Sequence, residues 1–265
     1  MHKQYDVIII GAGPAGIFSA LELVKKEKMN ILLIEKGKNI NARHCPMRGK
    51  NIPCQHCEPC SLLSGWGGGG AFSDGKLNLT TKIGGHLDEY ISERRLEELI
   101  QYVDKIYLQY GADANVYGTN KEEAIRIKKQ AEMANLKFIS AKIRHLGTEK
   151  CLSILKNIYQ FLNEKIDIIT GVEVEKIITK NGSIKGVKIK DGAIIQAKYV
   201  ITSPGRVGAK WLRDQAIGLN LDITNNPVDV GVRVEVPAVI LQALTKEIYE
   251  SKFIYYTSLF DDKVR

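Results

Sequence analysis

The stretch Tyr5-Asp-Val-Ile-Ile-Ile-Gly11-Ala-Gly13-Pro-Ala-Gly16 decides how the rest of the chain is read. Residues 5–10 form a short apolar run that stops at a glycine, the pattern of a buried strand. Pro14 then opens a helix expected over residues 14–26, with Ile17, Ala20, Leu21 and Val24 at helical spacing. Between them lies Gly-x-Gly-x-x-Gly, and each glycine has a task. Gly11 makes the tight turn after the strand. Gly13 lets a pyrophosphate approach the backbone, and Gly16 lets helix and strand pack closely. The helix start offers free N–H groups and the positive end of its dipole to phosphate. A second buried strand, residues 30–35, ends on Glu35, where an acid can bind a ribose diol. Like-charge repulsion disfavours a 2′-phosphate there, so FAD or NAD fits this site and NADP does not. Gly11, Gly13, Pro14, Ala15, Gly16, Glu35 and Lys36 are the expected cofactor contacts.

Outward from this unit, the chain reads as α/β. At 265 residues it has room for one large domain or two modest ones. Hydrophobic residues at 44% and charged residues at 26% exclude wholesale disorder. The net charge of +8 comes without a long like-charge run, so it suits an anionic small ligand or plain solubility at least as well as nucleic acid, which is not the expected partner. No run reaches the ~18–20 apolar residues of a membrane span, and the expected compartment is the cytoplasm. Helices are expected over 87–110, 120–135, 148–164, 207–217 and 237–249, and single strands over 137–143, 228–236 and 253–260. Residues 166–170, 172–179, 183–190 and 193–202 read as successive strands. Asn181-Gly182 and Asp191-Gly192 supply hairpin turns, which makes a three-stranded antiparallel meander.

Two segments carry further chemistry. Cys45 is followed by Cys54-x-x-Cys57-x-x-Cys60, a spacing like the start of a ferredoxin-type cluster run. His44 and His56 add a zinc alternative, and a redox-active thiol pair or plain reduced cysteines are further readings. Next comes Gly65-Trp-Gly-Gly-Gly-Gly70-Ala-Phe-Ser-Asp74-Gly-Lys76-Leu77. So many glycines forfeit helix and strand propensity, and permit backbone N–H groups to face a ligand. Gly70, Ala71 and Ser73 are the expected contacts in this loop. Asp74 can take a substrate proton and Lys76 can stabilise an anionic reduced flavin; either is otherwise a surface charge.

The βαβ unit followed by a meander resembles the FAD-binding fold of the glutathione-reductase superfamily. By that resemblance Val174 passes the adenine, and Ser203-Pro204-Gly205 stands where the superfamily has an Ala-Thr-Gly turn. With Gly65–Leu77, the cysteine segment, the run from Ile143 to Thr148 and Pro204-Gly205-Arg206, the chain resembles bacterial FAD-dependent dehydrogenases, often described as NAD(FAD)-utilising dehydrogenases. One departure is Gly69, where that family has alanine.

The resemblance implies a Rossmann-like FAD-binding domain plus a partial α+β substrate domain. Hydride would pass through flavin N5 between an unknown donor and a small-molecule acceptor, with NAD(P)H a candidate reductant. It places Arg144 and His145 near the active cleft, although a core histidine reads equally well. Arg206 would contact a phosphate or a substrate carboxylate, or would be a surface arginine. The implied order is 1–85 for the first FAD part, 86–140 a helical insertion, 141–224 the second FAD part with the meander, and 225–265 the start of an incomplete substrate domain. The family continues past residue 265 to a Gly-Asp motif. The expectation is a fragment, or a chain that needs a partner chain to supply the rest.

Overall fold

The structure is a computed structural model, and it describes residues 4–264 apart from Glu27, Asn51, Asn226, Pro227, Asp229 and Asp261. The chain opens with β1 (Tyr5–Ile10), α1 (Pro14–Leu23) and β2 (Ile31–Glu35). After the loops come β3 (Lys76–Asn78), α2 (Glu93–Gln109), α3 (Lys121–Met133), β4 (Lys137–Ile139) and β5 (Ile143–His145). Next are α4 (Thr148–Asn163), β6 (Asp167–Thr170), β7 (Val174–Lys180), β8 (Ser183–Ile189), β9 (Ile194–Thr202) and α5 (Ala209–Gly218). The described chain closes with α6 (Ala238–Ile248), β10 (Lys252–Tyr256) and β11 (Lys263–Val264). It divides into two compact units, residues 1–73 with 148–227, and residues 74–147 with 228–265.

The first unit is built on one six-stranded sheet in the order β6-β2-β1-β9-β8-β7. β1 pairs parallel with β2 on one edge and with β9 on the other, and β6 extends the parallel part beyond β2. β7, β8 and β9 form the expected antiparallel meander. β9 belongs to both halves, since its second half returns alongside β1. Strands buried on both faces should be apolar at every position. β1 and β2 obey: Val7–Ile10 and Ile31–Ile34 are buried side by side. The core that joins sheet and meander includes Ile8, Leu32, Ile34, Ile177 and Val187. This is a Rossmann-like α/β fold, with the meander continuous with the parallel sheet.

One core residue gives a pH prediction. The Tyr5 hydroxyl donates to Asp167 Oδ2 at 2.7 Å. Burial first, then the Asp167 hydrogen bond and charge, push its pKa up to about 12. A group that holds its proton more tightly when folded stabilises the fold below its unfolded pKa, and loses that contribution as pH rises through the folded value. Wild type should therefore lose stability relative to Tyr5→Phe between about pH 10 and 12. Urea unfolding of both proteins across that range checks it. A stability difference that does not change with pH would exclude the effect.

The second unit holds a two-stranded ribbon, β3 with β5, and a three-stranded sheet in the order β11-β10-β4. The strand expected over 137–143 is two strands, because its halves join different sheets: β4 pairs with β10, and β5 with β3. Helix 87–110 is likewise a short 3₁₀ turn followed by α2, whose Ser92 cap accepts a hydrogen bond from the Arg95 N–H. The strand expected over 228–236 does not form: the described residues 228 and 230–236 lie in no strand, and Asp229 lies outside the described residues. The alternating valines have the right period, but Val230 and Val232 are about nine-tenths exposed. A strand without a hydrogen-bonded neighbour has nothing to hold it. Among the described residues, no helix is long and apolar enough to cross a membrane.

Candidate functional site

In the first unit, the carboxyl ends of β1 and β2 and the turn after β9 open onto a pocket of about 680 Å³. This is where an open parallel sheet holds its ligand. Gly11, Gly13, Pro14, Glu35, Lys36, Gly70, Val174, Pro204, Gly205 and Arg206 all line it, so ten of the expected contacts lie together. Ala15, Gly16, Ala71 and Ser73 do not line it.

The glycines divide by task. Gly11 sits at φ +97°, and a Cβ there would lie 2.3 Å from the Ser203 carbonyl oxygen. A Cβ on Gly16 would lie 1.9 Å from the Gly11 carbonyl oxygen, so Gly16 serves packing and not contact. Ser203 locks this crossing with its hydroxyl, which donates to the carbonyls of Ile10 and Gly11. Gly205 has open space around it, but its φ of +64° already favours glycine. Gly13, Gly69 and Gly70 are different, since none has a positive φ and a Cβ on any of them meets nothing within 4 Å. Packing does not require them to be glycine. Their missing side chains leave room in the pocket for a ligand to lie against backbone, which is the fit a dinucleotide needs.

The second glycine loop belongs to the same construction. The Gly67 N–H donates to the Ala12 carbonyl at 2.7 Å, and Trp66 N–H to Lys38 at 3.0 Å. Trp66 is fully buried, donates its indole N–H to the Leu155 carbonyl and meets Tyr159 edge-on at 5.0 Å. Two side chains hold the loops. The Glu35 carboxylate is 6% exposed. Its Oε2 accepts from Ala12 N–H at 2.8 Å, and its Oε1 from Gly37 at 2.8 Å and Gly65 at 2.9 Å. One carboxylate thus ties together three loops around the pocket.

The other side chain is Arg43, which the sequence reading did not single out. Its guanidinium is 5% exposed and donates to the carbonyls of Ser61, Leu62, Trp66 and Gly68. It also lies over the Phe72 ring, 4.9 Å from its centroid. Burial pulls its pKa down, and the charge of Glu35 opposes that. No motif announces Arg43, because its partners are carbonyls, which every residue has.

The cations behave otherwise. Lys36 and Arg206 line the pocket, and neither side chain has a hydrogen bond or ion pair among the described residues. The expected metal cage does not assemble. Cys54 and Cys57 are exposed, and Cys45 and Cys60 half-buried, all as free thiols. Among the described residues, no group of three His, Cys, Asp or Glu side chains could hold a metal ion. The spacing that suggests ligands lies on an exposed loop that carries no helix or strand to converge them.

In the second unit, the β3–β5 register sets Lys76 directly opposite His145. Asp74 joins them through backbone, since Gly147 N–H donates to its carbonyl at 2.8 Å. Tyr249 completes the group: its ring stacks on His145 at 4.3 Å and its hydroxyl reaches Asp74 Oδ2 at 3.4 Å. Lys76 pairs with Glu250 at 2.7 Å. That pair raises the Lys76 pKa, and Lys76 lowers that of Glu250. Burial and then Asp74 raise the Tyr249 pKa. Tyr249 itself is at φ +54°, ψ −55°, with Glu250 N–H donating back to the Ile248 carbonyl, a strained γ-turn. Arg144 is structural: it is buried and pairs with both carboxylate oxygens of Asp104 on α2.

Residues 5–132 match the pyridine nucleotide-disulphide oxidoreductase family. That segment begins at β1 and takes in both glycine loops. An uncharacterised protein of Clostridium beijerinckii is 25% identical over 230 residues, 87% of this chain and 36% of its own length. The digeranylgeranylglycerophospholipid reductase of Methanosarcina mazei is 30% identical over 161 residues, 56% of this chain and 35% of its own. The chain therefore spans about a third of the length of these relatives. Among solved structures, L-amino acid deaminase from Proteus vulgaris is similar with a TM-score of 0.49 and 15% identity, over 84% of this chain and 57% of its own.

Proposed function

We propose that the pocket of the first unit binds FAD and that the chain is a flavin-dependent oxidoreductase acting on a small molecule. The observation that carries this reading is the wall of glycines whose absent side chains are not required by packing, with an acid at one end and, beside it, two cations without a partner among the described residues. Gly13 and the start of α1 would receive the pyrophosphate, and Glu35 the adenosine ribose. Lys36 and Arg206 would neutralise phosphate charge. When bound, FAD supplies two-electron chemistry at flavin N5. Within the second unit, Asp74 and His145, with Tyr249, would hold and move protons, while Lys76, held by Glu250, would supply positive charge. The electron donor, with NAD(P)H as the candidate class, belongs to the same proposal.

The purified chain should be yellow or become so with added FAD, with flavin absorbance that stays with the protein on gel filtration. A colourless chain that binds no added FAD would refute the reading. Lys36→Ala and Arg206→Ala should each weaken FAD binding by ~10-fold or more, since a charge-assisted hydrogen bond contributes about 1.5–3 kcal/mol. Both sites are partly or fully exposed, so the thermal midpoint should hold. Fluorescence titration of FAD into both variants checks this.

A further inference from the structure

Ser64 lines the pocket, is 5% exposed, and its hydroxyl oxygen is buried with no hydrogen-bond partner among the described residues. A buried hydroxyl without a partner is costly and calls for an explanation. Its place suggests one. The peptide between Ser64 and Gly65 packs on Gly37, where a Cβ would lie 2.5 Å from the Ser64 carbonyl carbon. The next N–H, that of Gly65, donates to Glu35. Ser64 therefore stands beside the acid assigned to the ribose.

Counting acceptor sites shows what is missing. A carboxylate has about four lone-pair sites, two on each oxygen. Glu35 Oε1 already accepts from Gly37 and Gly65, and Oε2 from Ala12. One site is left, on Oε2. A ribose diol brings two hydroxyls, so Glu35 can take one of them and the other needs a second partner. We propose that Ser64 is that partner: its hydroxyl binds one ribose hydroxyl of an adenine nucleotide while Glu35 binds the other. A serine side chain has three staggered positions, and the proposal requires that one of them bring the oxygen to the ribose. The orphaned hydroxyl is satisfied when the nucleotide arrives. This inference rests on the dinucleotide reading of the pocket, but not on the flavin itself.

The test is calorimetric titration of the full chain and of Ser64→Ala with ADP, 2′-deoxy-ADP and 3′-deoxy-ADP, with thermal unfolding of both proteins. Ser64→Ala should weaken ADP by ~5-fold, the scale of one neutral hydrogen bond. In wild type both deoxy analogues should bind more weakly than ADP. In Ser64→Ala one of these two penalties should vanish and the other persist, which marks a coupled pair. The thermal midpoint should stay level or rise, because the substitution removes an unsatisfied group. Equal ADP affinity in the two proteins, or both penalties unchanged, overturns the proposal. A midpoint several degrees lower also overturns it, since Ser64 would then serve packing. An added FAD arm separates the two readings. ADP binding without FAD binding refutes the flavin reading and leaves Ser64 to be judged on ADP. If wild type binds neither, both readings fall.

Discussion

Glu35→Ala is expected to destabilise the first unit by about 3–5 kcal/mol and to abolish nucleotide binding. The carboxylate accepts buried N–H groups from Ala12, Gly37 and Gly65. Hydrogen bonds to a charged group contribute about 1.5–3 kcal/mol each, and they are not additive. Alanine leaves all three donors unsatisfied and frees three loops at once. Glu35→Gln keeps the shape but has a single acceptor oxygen, and its amide faces an N–H with another N–H. It should cost roughly half as much. Urea unfolding with ADP titration measures both variants. An alanine variant within about 1 kcal/mol of wild type would show that water replaces the carboxylate, and would remove its organising role.

Arg43→Met should cost about 3–4 kcal/mol, because it leaves four buried or part-buried carbonyls between Ser61 and Gly68 without this donor. Arg43→Lys should recover little. An ammonium is a point charge with a different reach, and it cannot present the planar fork that meets Ser61, Leu62, Trp66 and Gly68 together. The loss should be local before it is global. Limited proteolysis should cut the cysteine segment near residues 52–62 faster in both variants than in wild type. If Arg43→Lys matches wild type in both unfolding and cleavage, packing against Phe72 and not the fork is what matters.

The two side chains also mark how far sequence reasoning reaches. The Gly11-x-Gly13-x-x-Gly16 turn, β1, α1, β2 and the meander follow local rules, and they stand where those rules put them. Glu35 was found from its place at the end of β2. Its second task, holding Gly37 and Gly65, depends on a loop thirty residues away and has no sequence signature. Arg43 and Ser64 have no signature for the same reason: one binds carbonyls, and the other is defined by the lack of a partner among the described residues. In the second unit, Lys76 and His145 meet only through the β3–β5 register, and Asp74 joins them through the Gly147 N–H. Tyr249 has no sequence signature, because nothing in a tyrosine announces a γ-turn with positive φ. Two local rules misled. Cysteine spacing suggests ligands only if a backbone converges them, and alternating valines make a strand only beside another strand.

The placement of β1 sets a schedule for how the protein is made. Its β2 edge closes early, with Val7 beside Ile31. Its other edge waits for β9, and the Ser203 hydroxyl that locks the crossing is 193 residues beyond Ile10. At ~5–20 residues per second, the ribosome takes about 10–40 s to deliver that segment. During that interval a strand of four consecutive buried apolar residues has one open edge in the cell. Such an edge is a template for pairing with other chains. Slow translation therefore lengthens the period in which the nascent chain is open to aggregation, and a holding chaperone has a defined stretch of sequence to cover.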